Sequence, residues 1–360
     1  MVNRVFIIGA GASKAFGVPI GREYLKACLE FGVKSDYKNI QNLLEYLEKL
    51  IPGGKEQYEK LAFEELLSIM QKDRLLTNRL MGLSMPVDAE KILIGCLCKF
   101  LWDKSNNVLF ENRIVSLEQI ANEKWPYVDF INKLDNEEDC IITTNYDAMI
   151  DRAACVRWNS CRYSEYSKLT EKLDKPIALF KPLGSIAWIP GSFIQNSRFS
   201  ATGRNAAVDY NIHGIIEKLT DSPEIYIYKD LPKYFDNGKN DYPVIIPPTI
   251  GADVPEAWGD FFLELNKQML RRLSKADEIY IIGYSFPKYY EYFRILVRKA
   301  LMLNRQEVKV RVINVDGKNL KELKQTIKSF ITKKKVEYYS SGFESWKNLF
   351  VEGKKIPYVE

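Results

Sequence analysis

Residues 5–25, VFIIGAGASKAFGVPIGREYL, constrain the fold more than any other stretch of the chain. β-Branched and aromatic residues over 4–8 read as a short buried strand that stops at a glycine. Gly9-Ala10-Gly11-Ala12-Ser13 follows, and a helical pattern takes over at 21–31. A strand, a Gly-x-Gly turn and a helix make the first unit of a dinucleotide-binding fold. In that unit the glycines permit a tight turn and close approach to a pyrophosphate, whose charge is favoured at a helix N-terminus. Two parts of the usual fingerprint are missing. Lys14 stands where the third glycine of G-x-G-x-x-G belongs, and the stretch about 20 residues on, where an acidic residue would follow a second strand, is helical. A dehydrogenase of the usual kind is therefore a poor fit. Ser13 can cap a helix or give its hydroxyl to a phosphate. The bland alternative is a glycine turn that serves packing alone.

From residue 36 to about residue 134 nearly everything has helical periodicity. In NIQNLLEYLEKLI, Ile40, Leu43, Leu44, Leu47 and Leu50 share one face, and Pro52-Gly53-Gly54 ends the helix. AEKILIGCLCKFLWDK is apolar enough to be mostly buried. Strand signals return at 140–143, 177–180, 225–228, 244–246, 278–282 and 308–315, with amphipathic helices over 258–273, 290–303 and 320–330. Such alternation predicts an α/β fold, a Rossmann-like parallel sheet with helices on both faces. The expected organisation is a single domain over 1–360. Its core comes from 1–30 and 135–340, with a large helical insertion at 31–134 and a polar, loop-rich segment at 191–241.

Composition sets limits. There are 52 Lys and Arg against 47 Asp and Glu, a net charge of +5, too mild to argue for nucleic acid. The lysine-rich run at 318–335 follows helical spacing without stacking aromatics among the lysines. It reads as a solvated face opposite Leu320, Leu323, Ile327 and Phe330 rather than as a direct nucleic-acid contact. Six cysteines (Cys28, Cys96, Cys98, Cys140, Cys155, Cys161) form no C-x-x-C pair, and His213 is the sole histidine. Cys96 and Cys98 diverge on a helix, so no zinc or other metal site is expected. The cysteines read as small buried residues of a reducing compartment. No signal peptide and no apolar run of membrane length is read, so the expected location is cytoplasmic, away from a membrane.

Three more predicted strands end in polar clusters. CIITTNYDAMID places Thr143, Thr144, Asn145 and Asp147 at one end, YIIGYSFP places Gly283, Tyr284 and Ser285 at another, and VRVINVDGKNL ends in Asn314 and Asp316. In an open parallel sheet, ligands sit in the crevice outside such ends. Taken singly, Asn145 or Asp147 could simply cap the next helix.

Together these pieces resemble the sirtuin-like family of bacterial proteins. Gly9 to Ser13 with Gly17-Val18-Pro19 is similar to its first motif, Thr143-Thr144-Asn145-Tyr146-Asp147 to its Asn-Asp motif, and KPLGSIAW at 181–188 to its Lys-Leu-His-Gly-Ser-x-x-Trp segment. IIGYSFP and VINVD match two later ribose- and adenine-side motifs. The resemblance runs in order over about 4–316. It implies NAD binding across a Rossmann-like sheet and, as often in bacteria, NAD cleavage to nicotinamide and ADP-ribose in antiphage defence. It implies Asn145 and Asp147 as catalytic residues. The binding set it implies is Gly9, Ala10, Gly11, Ala12, Ser13, Pro19, Arg22, Thr144, Gly184, Ser185, Gly283, Tyr284, Ser285, Asn314 and Asp316. The implied partners are NAD or ADP-ribose, an ATPase or Argonaute-type protein, and further copies of the chain.

Departures from the family pattern shape the expected chemistry. Deacylating sirtuins end their first motif Gly-Ile-Pro-Asp-Phe-Arg, whereas this chain reads Gly17-Val18-Pro19-Ile20-Gly21-Arg22. Loss of the shielding Phe favours hydrolysis over acyl transfer, and the four-Cys zinc ribbon is absent, so a protein deacylase is not expected. Leu183 stands where the family's histidine would act as a base, and leucine accepts no proton. General-base help is worth about 10²- to 10⁴-fold in rate. Two functions are therefore carried forward: an NAD glycohydrolase, and a module that binds NAD or ADP-ribose as sensor or scaffold without turnover. His213 precedes Gly214 but lacks the motif around it. Trp188 and Phe193 fit packing better than a nicotinamide pocket. Tyr289 and Tyr290 stand where an acidic companion of GYS is usual, with Glu291 just beyond.

Overall fold

The computed structural model describes residues 2–14, 17–74, 76–77, 89–110, 127–135, 138–150, 153, 178–186, 188–190, 208–209, 225–227, 245, 259–304, 307–315, 318–331 and 335–359. In chain order the elements are β1 (Arg4–Ile8), α1 (Ala10–Lys14), α2 (Arg22–Lys34), α3 (Ile40–Leu50), α4 (Lys55–Tyr58), α5 (Phe63–Arg74), α6 (Ala89–Phe110) and α7 (Val128–Asn132). Then follow β2 (Cys140–Thr143), β3 (Ala178–Phe180), β4 (Trp188–Pro190), β5 (Val208–Asp209), β6 (Ile225–Ile227), α8 (Gly259–Ser274), β7 (Glu278–Ile282), α9 (Glu291–Leu303), β8 (Lys309–Ile313), α10 (Lys318–Phe330), β9 (Val336–Tyr339) and α11 (Gly342–Val351).

The main sheet has six strands in the order β3-β2-β1-β7-β8-β9, all parallel. Counting only its own strands, this is the doubly wound order 3-2-1-4-5-6, with the switch point between β1 and β7. The β1-to-β2 and β7-to-β8 connections run in opposite directions along the sheet, and the right-handed rule for parallel crossovers then puts their helices on opposite faces. The strands are apolar on both sides because both sides are covered: Val5, Phe6, Ile7 and Ile8 are all buried, as are Ile279 to Ile282.

One face is an aromatic layer. Phe6 stacks on Tyr280 at 4.9 Å and meets Phe130 of α7 edge-on at 5.2 Å, while Trp346 and Phe350 of α11 close over them. Register aligns Tyr280 with Arg311 and Arg311 with Glu337. Arg311 accordingly pairs with Glu278 at 2.8 Å and Glu337 at 3.0 Å. Arg4 pairs with Asp139, which is fully buried and also accepts the Asp135 N–H at 2.7 Å.

Of the expected insertion, α3 and α5 pack against α6, as does α2 from the segment before it, and Leu43, Leu47, Leu66, Leu93 and Leu97 are all buried. Cys28 donates its thiol proton to Cys96 at 3.8 Å, and Cys96 to the Cys28 carbonyl at 3.3 Å. The four described cysteines are free and buried, and burial raises the thiols of Cys28, Cys98 and Cys140.

The sequence reading and the structure differ at three points. The 225–228 signal gives β6, but β6 pairs antiparallel with β4 and β5 in a separate three-stranded sheet. Strand propensity marks an extended segment and does not say which sheet receives it. The 244–246 signal leaves one bridge, Ile245 to Gly184. β9 and α11 went unread: VEYY is too short and too polar to stand out, yet it pairs with β8 from Val310 to Ile313. Among the described residues no helix is long and apolar enough to cross a membrane.

Candidate functional site

The ends of β1, β2, β7 and β8 and the loop after β3 open onto one cavity of about 580 Å³. That volume is within the range of small-molecule sites, roughly 300–1,000 Å³. From β3 to β8 the wall crosses four strand spacings, roughly 19 Å.

Backbone bonds continue the sheet beyond its strands. Gly9 N–H donates to Ile282 O at 2.9 Å, Gly11 N–H to Gly283 O at 2.8 Å, Gly283 N–H to Ile313 O at 2.9 Å and Asn314 N–H to Tyr339 O at 3.0 Å. The loops after β1 and β7 touch because neither carries a side chain at the contact. A Cβ on Gly11 would lie 2.8 Å from Gly283 O, and one on Gly283 would lie 2.3 Å from Ala12 N. Gly283 also has φ +59°, in the left-handed region. The Gly11 N–H is thus spent on the neighbouring loop, and the glycines do packing work at the switch point.

Ser13 is the hub of a buried polar cluster. Its hydroxyl has one proton, which goes to Asp147 Oδ2 at 3.0 Å. It must therefore accept from Asn145 Nδ2 at 3.1 Å and from Tyr127 OH at 3.2 Å. Asp147 Oδ1 takes the Met149 N–H at 3.0 Å, capping the helical turn after β2. This orientation leaves Asn145 Oδ1 buried on the cavity wall with no hydrogen-bond partner among the described residues. Lys181, fully buried, donates to the Asp147 carbonyl at 2.6 Å and to Ser185 Oγ at 2.9 Å. With Ile186 N–H on Tyr146 O at 2.9 Å, KPLGSI braces the Asn145 loop from behind. Leu183 reaches the cavity, while Gly184 and Ser185 stand in the second layer.

The wall beneath the helical insertion is aromatic, with a carboxylate in it. Tyr24 of α2, Glu64 of α5 and Leu101 of α6 meet Tyr146, Tyr284, Phe286, Tyr289 and Tyr290. Burial raises Glu64 to about 7, and Glu65 adds to this. The rise prevails over bonds from its own backbone N–H and from Tyr289 that favour the ionised form. Burial also raises Tyr24, Tyr146 and Tyr284, so these phenols stay neutral. The Tyr284 hydroxyl is buried without a partner among the described residues. Phe286 holds φ +52°, uncommon for a bulky residue and located in the cavity wall. At the β8 end, Asn314 faces Glu322, Leu323 and Thr326 of α10.

Of the residues singled out from sequence, Ala10, Gly11, Pro19, Thr144, Asn145, Asp147, Gly283, Tyr284, Ser285 and Asn314 line this one cavity. Gly9, Ala12, Ser13, Gly184 and Ser185 support the wall without lining it. Asp316, His213, Phe193, Cys155 and Cys161, and the side chains of Arg22 and Trp188, lie outside the described residues. Sequence reasoning missed Tyr24, Glu64 and Leu101, because two glutamates in a first helical turn look like any helix start. Among the described residues no group of three or more His, Cys, Asp or Glu could hold a metal ion.

No protein-family model matches the sequence, and no curated protein matches it. Among solved structures, one of Sir2Tm bound to a propionylated peptide aligns over 98% of this chain and 93% of that one, at 13% identity and a TM-score of 0.39. One of Sir2 in complex with the inhibitor EX-527, 2'-O-acetyl-ADP-ribose and deacetylated p53 peptide covers 98% of this chain and 94% of that one, at 12% identity and a TM-score of 0.35.

Proposed function

We propose that the cavity binds NAD and that the chain is an NAD glycohydrolase, releasing nicotinamide and ADP-ribose. One observation carries the reading: Asn145 Oδ1 is a buried acceptor without a partner, fixed by Ser13 on the wall of a strand-end cavity. Buried acceptors are almost always satisfied, so an orphan on a cavity wall calls for a ligand donor or a water. A ribose hydroxyl or an attacking water answers that call. The Tyr284 hydroxyl is a second orphan in the same wall. The cavity's reach across the switch point suits a ligand with two nucleotide halves. The aromatic wall under the insertion suits the nicotinamide end, and Asn314 with α10 suits the adenosine end.

In this reading Asn145 orients sugar and water, Asp147 keeps Ser13 and hence Asn145 in place, and Ser285 and Asn314 add polar contacts. The motif resemblance further suggests a bacterial defence effector, acting in the cytoplasm and held silent by an ATPase or Argonaute-type partner or by assembly of copies, since unchecked NAD loss harms its own cell.

The test is calorimetry with NAD and ADP-ribose alongside an assay of nicotinamide release. Asn145→Ala should abolish release. A wild-type chain that binds neither nucleotide ends the proposal. A second reading, binding without turnover, is favoured by Leu183, an apolar residue on the wall where a proton acceptor would be useful. Tight NAD binding without release, with release gained in Leu183→His, would establish it.

A further inference from the structure

The described carboxylates on the cavity wall are Asp147, Glu322 and Glu64. Asp147 already holds the Ser13 hydroxyl and the Met149 N–H. Glu322 is exposed on α10, at the β8 end. Glu64, half-buried, stands among the aromatic side chains of the wall. Its own backbone N–H and the Tyr289 hydroxyl favour its ionised form, and burial outweighs both. Across the sheet order, Leu183 offers no acceptor.

We propose that Glu64, delivered by the helical insertion, is the general base of the reaction, which makes the insertion part of the active site. This rests on the NAD glycohydrolase reading above. As the bond between C1′ of the ribose and the nicotinamide nitrogen breaks, its electron pair goes to the ring, which leaves as neutral nicotinamide. The water oxygen forms the new bond to C1′, and Glu64 accepts the water's proton, so that ADP-ribose carries the hydroxyl.

A base works best with a pKa near the working pH, and burial has moved Glu64 to about 7. The groups facing it are Tyr24 from α2, Tyr146 from the loop after β2, Tyr284 and Tyr289 from the segment after β7, and Glu65 on its own helix. The tyrosines stay neutral through the relevant range, so they leave the titration of Glu64 in place. Lys288 is the cation among the described lining residues, and it stands exposed.

The experiment measures NAD binding by calorimetry and nicotinamide release at saturating NAD, on the full chain, between about pH 5.5 and 8.5. Wild-type kcat should rise about tenfold per pH unit below 7 and level off above it. E64Q should bind NAD as wild type does, release nicotinamide about 100- to 10,000-fold more slowly and lose the pH dependence, and E64D should recover part of the rate. Turnover of E64Q near the wild-type level, or with an unchanged pH profile, overturns the proposal. So does a wild type that binds NAD but releases nothing, although NAD binding then stands. A wild type that binds no NAD overturns the site reading as well. If E64Q fails to fold, the wild-type profile decides, and a flat profile refutes the role of Glu64.

Discussion

Glu64 offers a stability test that needs no ligand. The folded protein holds its proton with a pKa of about 7, against an ordinary 4.5. An acid whose pKa is raised by folding binds more protons in the native state than in the unfolded one, so stability falls as pH rises through that window. At about 1.4 kcal/mol per pKa unit, ionising this carboxyl in place costs the native state about 3 kcal/mol above pH 7. Roughly 0.8 kcal/mol of that cost is already present at pH 5. Glu64→Gln keeps the shape and an acceptor for Tyr289 but cannot ionise. Every other titrating group cancels in the comparison with wild type. The stability difference should therefore shift in favour of E64Q by about 2.5 kcal/mol between pH 5 and pH 8. Equilibrium urea unfolding of both proteins at each pH, followed by tryptophan fluorescence, reads the difference directly. A difference that is the same at both pH values would show that Glu64 does not hold its proton in the folded protein, and the burial reasoning would fail.

Other outcomes follow from the same structure. Ser13→Ala strips partners from Asp147 and Asn145 inside the core, so urea unfolding should show a loss of about 1–3 kcal/mol, and calorimetry weaker NAD binding. Gly283→Ala puts a Cβ against the Ala12 amide and forces a non-glycine residue to positive φ, so a loss of more than about 2 kcal/mol is expected in the same unfolding assay. Arg311→Gln leaves the half-buried Glu278 and Glu337 unmatched. Pairing with Arg311 and Tyr280 lowers the Glu278 pKa despite burial, so the stabilisation present above its unfolded pKa is lost as pH falls through the folded value. Wild type should accordingly exceed R311Q in thermal midpoint at pH 7, and the gap should shrink in acid.

The doubly wound sheet was legible because its strands are buried on both faces and read as apolar runs: VFII, CIIT, EIYII and VRVI each stand out between polar neighbours. Their polar ends were legible for the same reason, since a buried run that stops in Asn, Ser or Gly marks a strand's edge. β9 was not, because Val336 and Glu337 are only half-buried at the sheet's margin and give no continuous apolar signal. The carboxylate wall was hidden for a different reason. Glu64 is an ordinary first-turn residue by local pattern, and what sets it apart is the aromatic surroundings brought from Tyr24, Tyr146 and Tyr289, which lie 40, 82 and 225 residues from it in sequence. The role of Ser13 was partly visible: a cap or phosphate donor was expected, whereas its proton is committed to Asp147.

The contact between Gly11 and Gly283 has a consequence for descent. What blocks a side chain at either position is main chain: a carbonyl oxygen in one case, an amide nitrogen in the other. No substitution elsewhere can trim those atoms to make room. Chains that inherit this loop geometry should hold both glycines unchanged, with no compensating pairs between them, and a relative that has lost one should also have parted the two loops.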